Sequence, residues 1–262
     1  MPDDYEIFIK RVENIGFTST GRPSDLNDFP QTLTEYCQRD SHYLVPIGKI
    51  KDRLDAKFYV SEHQQVASFF HHNPKHGLVS LSDIGSFYAE RVNARLNPDQ
   101  EIRLVETSCV DPATLTITPK HIKGRDSNYT SLKRLQAGDV LISRRRAYRG
   151  AIVVVPPELD GALAISEFSV LHLREGYDRD YVVEILRSPQ FLKLMTIYST
   201  GEMSGRIAEK DLRRLQIPIP DNHQRLGDTF KGHRQRIKEL KRLISEEKNE
   251  IVALATDVIE GR

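Results

Sequence analysis

Cysteine is nearly absent from this chain. Cys37 and Cys109 are the only two in 262 residues, far apart and outside any Cys-x-x-Cys pair. That spacing indicates neither a disulfide scaffold nor a zinc site, and it suits a reducing cytoplasm. No run of 18 apolar residues occurs, so no membrane span is expected. The opening Met1-Pro2-Asp3-Asp4-Tyr5 is acidic and lacks the apolar centre of a signal peptide. A charge excess is missing too: 38 Lys and Arg against 37 Asp and Glu leave a formal net charge of +1. Any affinity for nucleic acid must then come from local clustering of charge. His71, His72 and His76 have no Asp, Glu or Cys at ligand spacing, and they are read as a solvated loop with no metal.

What the chain does have is 39% hydrophobic residues, enough for a real core. Its length suits one domain with appendages, or two small domains. Ile7, Phe8, Val12 and Ile15 make a helical stripe over Tyr5–Ile15, which Gly16, Gly21, Pro23 and Pro30 break into loop. Gln64–Phe70 reads as helix. Leu78–Ile84 reads as a strand and turn, and Ile102–Glu106 and Leu115–Thr118 as short β-branched strands. Further strands are expected at Gly138–Ser143, Ala151–Val155 and Phe168–Leu173, and core helix at Tyr181–Leu194. The expected class is α/β (α+β): one mixed-sheet domain, a long coiled-coil helix, and a short helical N-terminal extension. The expected boundaries are 1–45, 46–220 and 221–262.

Charge is concentrated in Lys120–Arg149. Those 30 residues hold nine basic side chains (Lys120, Lys123, Arg125, Lys133, Arg134, Arg144, Arg145, Arg146, Arg149) against two acids, Asp126 and Asp139. Tyr129 and Tyr148 are interleaved. A polyanion such as DNA gains from such a cluster through counterion release. The planar guanidinium also matches guanine O6 and N7 in the major groove. Three consecutive arginines at a strand end would alternate, with Arg144 and Arg146 on one face and Arg145 on the other. Burying any of them unpaired would be costly. A second candidate loop, Thr200–Ile207, has Gly201 and Gly205 for close backbone approach, and Ser204 and Arg206 as donors. The candidate DNA-binding set is therefore Lys120, Lys123, Arg125, Lys133, Arg144, Arg145, Arg146, Tyr148, Arg149, Ser204 and Arg206.

After Pro220 the pattern changes. Phe230, Ile237, Ile244, Ile251 and Val258 recur every seven residues, with Leu226, His233, Leu240, Glu247 and Leu254 at the companion positions. A heptad seam of that length asks for another helix beside it. Asp221 or Asn222 is the expected N-cap, and the helix is expected to run to about Glu260. Phe230, Ile237, Leu240, Ile244, Ile251, Leu254 and Val258 are the expected dimerisation residues.

Several of these pieces, in this order, carry a family resemblance. Gly138-Asp139-Val140-Leu141-Ile142-Ser143 resembles the strand of target recognition domains in type I restriction–modification specificity subunits. Thr200-Gly201 with Arg206-Ile207 resembles their glycine loop. Leu212 and Leu215 leading to Ile217-Pro218-Ile219-Pro220, then Gln224, resemble their ending before a long helix. Leu54–Tyr59 resembles a segment found just before such domains. The stretch from Glu6 to Pro30, with Asn14-Ile15-Gly16, Gly21-Arg22-Pro23 and Asn27-Asp28-Phe29-Pro30, resembles the C-terminal tail of type I N6-adenine DNA methylases. The catalytic parts of such a methylase are not in the sequence: no Asn-Pro-Pro-aromatic motif and no glycine-rich turn for an adenosyl cofactor.

The resemblance implies a non-catalytic DNA specificity subunit, here with one recognition domain and one helix, a half subunit. It implies double-stranded DNA, adenine-methylase subunits and a restriction nuclease subunit as partners, with S-adenosylmethionine on the methylase and no cofactor here. A homodimer through the C-terminal helix would read a two-part site. Three other readings stand beside it. The chain could be the recognition part of a fused methylase–specificity enzyme. It could hide a nuclease built on Asp139, Glu167 or Glu209-Lys210-Asp211, although these form no convincing carboxylate set. It could be a coiled-coil assembly protein without DNA binding, which would leave Arg144–Arg146 unexplained.

Overall fold

The computed structural model describes residues 5–10, 12, 14–18, 20–50, 77–200 and 205–260, in two units, 1–74 and 75–262. The first unit holds β1 (Glu6–Phe8), β2 (Ile15–Phe17), β3 (Pro23–Asn27), α1 (Phe29–Cys37) and β4 (Leu44–Pro46). β1 pairs antiparallel with β4, and β2 with β3. Phe8 packs against Tyr36 and Tyr43, each at 5.5 Å between ring centroids.

The helix expected at Tyr5–Ile15 is therefore corrected. That segment carries two strands, and the helix of this unit lies further on, at α1. The stripe of Ile7, Phe8, Val12 and Ile15 does not distinguish the two periods, and pairing with β4 decides for strand. Pro30 stands in the first turn of α1. A helix tolerates proline there because that N–H has no intrahelical acceptor. The residue read as a breaker starts the helix.

The second unit begins with β5 (Leu78–Ser80), α2 (Leu81–Ile84), β6 (Gly85–Ser86), β7 (Arg91–Val92) and β8 (Glu101–Val105). A small hairpin, β9 (Val110–Asp111) and β10 (Thr116–Ile117), precedes β11 (Lys120–Lys123), β12 (Leu132–Arg134), β13 (Val140–Ser143), β14 (Ile152–Val154), β15 (Leu163–Ile165) and β16 (Phe168–Leu173). Then come α3 (Arg179–Leu186), α4 (Pro189–Tyr198), β17 (Ser199–Thr200), β18 (Arg206–Ile207), α5 (Glu209–Arg214), β19 (Gln216–Pro218) and α6 (His223–Glu260). The expected single helix Tyr181–Leu194 is two helices, because Ser188 caps α4 and Pro189 opens it. The Gln64–Phe70 helix and the Leu54–Tyr59 segment lie outside the described residues.

Among the described residues, two larger sheets form the body of the domain. One is five-stranded, β11-β8-β15-β12-β7, mixed because β15 runs parallel to β8. The other is four-stranded and antiparallel, β14-β13-β16-β6. All four residues of β13 are buried, which explains its unbroken apolar run. Gly138 enters this strand at φ +88°, a backbone that L side chains rarely adopt. Leu141, Val153, Phe168 and Val170 from the second sheet share one core with Leu104, Val105, Leu132 and Ile165 from the first.

α6 leaves this core along α3. The ring of Phe230 stacks on Tyr181 at 6.4 Å, and His223 meets Tyr181 edge-on at 5.9 Å. Arg234 pairs with Asp180 and, at 2.9 Å, with Glu184. Gly227 lies directly against Asp178, whose carboxylate caps α3 by accepting from the Tyr181 N–H at 2.7 Å. From 235 to 260 every residue of α6 is exposed. Phe230 thus leaves the expected dimerisation set, because its ring is used within the chain. Ile237, Leu240, Ile244, Ile251, Leu254 and Val258 are open, with Val258 79% exposed. At 100° per residue this seam lies about a quarter turn around the helix from Arg234. Docking on α3 leaves it uncovered.

Candidate nucleic-acid interface

β13 delivers the chain from a dry core to Arg144. The Arg144 N–H donates to the Glu167 carbonyl at 2.9 Å, and its guanidinium donates to the Ser166 carbonyl. Arg146 stands at φ +52°, ψ +49°, a left-handed backbone that costs a non-glycine residue about 1–2 kcal/mol. Two bonds hold it there. Its N–H donates to the Gly205 carbonyl at 2.9 Å, and its carbonyl accepts from the Arg149 N–H at 2.9 Å. A short 3-10 turn, Ala147–Arg149, follows and puts Tyr148 and Arg149 into solvent.

The second loop meets the first. Arg145 forms an isolated β-bridge with Arg206, and the Ile207 N–H donates to the Arg144 carbonyl at 2.9 Å. Two arginine-bearing segments distant in sequence thus share one backbone frame. Arg145 is exposed while Arg144 and Arg146 are half-buried, as alternation predicts, although Arg146 itself has turn geometry. Burial, followed by the neighbouring Arg206 charge, pulls Arg144 below the ordinary arginine range. Among the described residues, the shielded Nε atoms of Arg144 and Arg146 meet no hydrogen-bond acceptor. Cations held this way, half out of water and short of acceptors, favour an incoming anion or a base edge rich in acceptors.

Glu167 lies inside the cluster. Its Oε2 is 3.6 Å from Arg206 Nε, an ion-pair distance too long for a hydrogen bond. The sequence pattern marked Glu167 only as a weak nuclease hint. Its place among the arginines depends on β16 lying next to β13, which no local pattern shows.

The remaining expected residues sit elsewhere. Lys120 and Lys123 are exposed on β11, at the edge of the five-stranded sheet, and Lys120 pairs with Glu106 at 2.6 Å. Arg125 pairs with Asp99 at 3.1 Å. Ser204 lies outside the described residues, as does Gly201. Lys133 is corrected. It is buried, and its Nζ donates to the Phe168 carbonyl at 2.9 Å and faces Glu209 at 3.4 Å. Burial pulls its pKa down against the opposing pull of Glu209. It ties β12 to α5 inside the domain.

Asp139 and Glu209, two of the nuclease candidates, have other partners. Asp139 accepts from the Gln136 N–H at 2.8 Å and faces His172 at 3.1 Å, while Glu209 is held by Ser169 at 3.0 Å and Arg213 at 2.9 Å. Among the described residues no group of three or more His, Cys, Asp or Glu could hold a metal ion, and no helix is long and apolar enough to cross a membrane.

Comparison with solved structures bears on this frame. The HsdS subunit from Thermoanaerobacter tengcongensis superposes with a TM-score of 0.56 at 23% identity, over 68% of this chain and 46% of that one. This chain has the HsdS fold. A structure solved for complex assembly and conformational transition of the type I R-M system matches it with a TM-score of 0.57 at 24% identity, over 68% of this chain and 47% of that one. The chain spans about half the length of these proteins. No protein-family model matches the sequence, and no curated protein does. In this HsdS fold the mixed-sheet domain and the long helix are those expected from the ordered motifs, and the arginine turn stands at the end of the expected strand.

Proposed function

We propose that this chain is a DNA sequence-recognition subunit of the type I restriction–modification kind. The observation that carries the proposal is the joining of the Arg144–Arg146 turn to Gly205–Ile207 on an HsdS fold. Lys120, Lys123, Arg125 and Arg149 supply phosphate contacts, hence affinity and salt dependence. Arg144, Arg145, Arg146, Tyr148, Arg206 and Ser204 supply contacts to base edges. An adenine-methylase partner, separate or fused, flips and methylates the base with S-adenosylmethionine, and a nuclease subunit joins the same assembly. The chain directs these activities and performs none of them.

The bare seam of α6 supports pairing of two copies. A parallel pair would set Glu247 against its own copy in the seam, and Arg236 beside Lys241. An antiparallel pair centred near Ser245 sets Ile237 on the second copy's Leu254 and Leu240 on its Ile251. It also brings Arg236 beside the second copy's Asp257. Opposite charges flanking a seam set orientation, and like carboxylates within it oppose association. Antiparallel pairing turns the two domains toward inverted half-sites.

Arg146→Ala tests the reading arm. Its affinity for the selected DNA should fall about 10- to 100-fold, on the order of 1–3 kcal/mol. One guanine position should relax, with the salt slope of binding little changed. Fluorescence anisotropy on single-base variants of the site measures both. An unchanged base preference removes Arg146 as a reader.

A further inference from the structure

We propose that Glu167 is a specificity-determining residue that accepts from the N4 amino group of a cytosine. This inference rests on the DNA-recognition reading and names a contact within that site. Glu167 lies between β15 and β16, and its carbonyl accepts the Arg144 N–H at 2.9 Å. About a quarter of its side chain is open to solvent, and among the described residues its shielded Oε2 meets no hydrogen-bond partner.

A carboxylate is out of place in a surface that binds only phosphate. Phosphate and carboxylate repel, so an acid at the centre of the cluster lowers affinity for every DNA sequence alike. The same acid is useful where the surface meets a base edge. An ionised carboxylate only accepts, and in the major groove the cytosine N4 and adenine N6 amino groups are the donors. Adenine also presents N7, an acceptor that would face the carboxylate unfavourably, whereas cytosine presents its amino group alone. The Arg144 charge acts on Glu167, and Arg146 follows Arg144 on its turn; their guanidinium groups suit guanine. An acid next to an arginine can therefore read neighbouring C·G and G·C pairs. In the free protein Arg206 neutralises Glu167 at 3.6 Å. On DNA, Arg206 turns to its own base contact and the carboxylate is released to the cytosine.

Glu167→Gln tests this in the full chain. The backbone carbonyl that holds the Arg144 turn is kept, and thermal melting compares its folding with wild type. Selection from a random duplex pool and anisotropy on single-base variants of the wild-type site are run for both proteins. The expected result is a loss of roughly ten-fold or more in discrimination at one C·G pair, with the other positions unchanged. Arg206→Ala, which leaves the carboxylate in place, should keep the cytosine preference while weakening binding and relaxing a different base position. If Glu167→Gln keeps the wild-type base profile and binds every duplex more tightly, Glu167 is only the counter-charge of Arg206 and the inference falls. If wild type itself enriches no sequence, the recognition reading falls and takes this contact with it.

Discussion

Replacing Ile244 by Asp should raise the dissociation constant for self-association at least ~100-fold while leaving the recognition domain folded. Ile244 is 55% exposed in the single chain, so the substitution costs the monomer almost nothing. In a paired seam the same side chain is enclosed, and each copy would bring an unpaired carboxylate into it. Burying such a charge costs several kcal/mol, and about 3 kcal/mol is already two decades in a dissociation constant. Sedimentation equilibrium at tens of micromolar gives the association constant, and thermal melting of the same samples reports the domain. A wild-type chain that is monomeric under these conditions would leave the seam without a second copy of itself as partner. Equal association of wild type and variant would place the contact elsewhere.

Gly227→Ala should destabilise the protein, although helix propensity alone predicts the opposite. Alanine is favoured over glycine in a helix interior by about 1 kcal/mol. Here a Cβ would stand 1.7 Å from Asp178 Oδ1. The carboxylate would have to leave its cap on α3, losing about 1 kcal/mol, and the helices would have to separate, at about 1–3 kcal/mol for overpacking. The net expectation is a loss of ~2 kcal/mol, or roughly 4–8 °C in melting temperature for a domain of this size. The functional consequence is larger. Gly227, Phe230 and Arg234 fix the direction in which α6 leaves the domain, and in a paired complex that direction sets the distance between half-sites. The variant should accept half-site spacings one base pair longer or shorter that wild type rejects. A more stable variant with unchanged spacing would show that the docking of α6 is loose.

The features legible in the sequence were those written in local pattern. β13 stands out because its two covered faces leave no polar position between Val140 and Ser143, and Gly138 marks its start. The long helix stands out because its apolar residues keep one period from Leu226 to Val258. What the pattern could not show is how one helix divides its faces. Phe230 obeys the heptad and is nonetheless used within the chain, because α3 presents Tyr181 to it. The first unit departs from its local pattern for a similar reason: a few apolar residues fit either period until β4 supplies a partner. Lys133 looks like an ordinary surface lysine, and only the Phe168 carbonyl and Glu209, 35 and 76 residues away in sequence, turn it inward. The candidate interface was legible in its parts, as an arginine run and a glycine loop. The bridge between Arg145 and Arg206 that makes them one surface is a long-range pairing, and so is the entry of Glu167 into the cluster.

Selection from a random duplex DNA pool, at about 100 mM salt and with and without an adenine-methylase partner, tests the central claim most directly. Recovery of two short motifs, inverted relative to each other and held at one spacing, is the predicted result. No enrichment in either arm would contradict it, leaving Arg144–Arg146 as solvated surface and the exposed seam as the working part of the molecule.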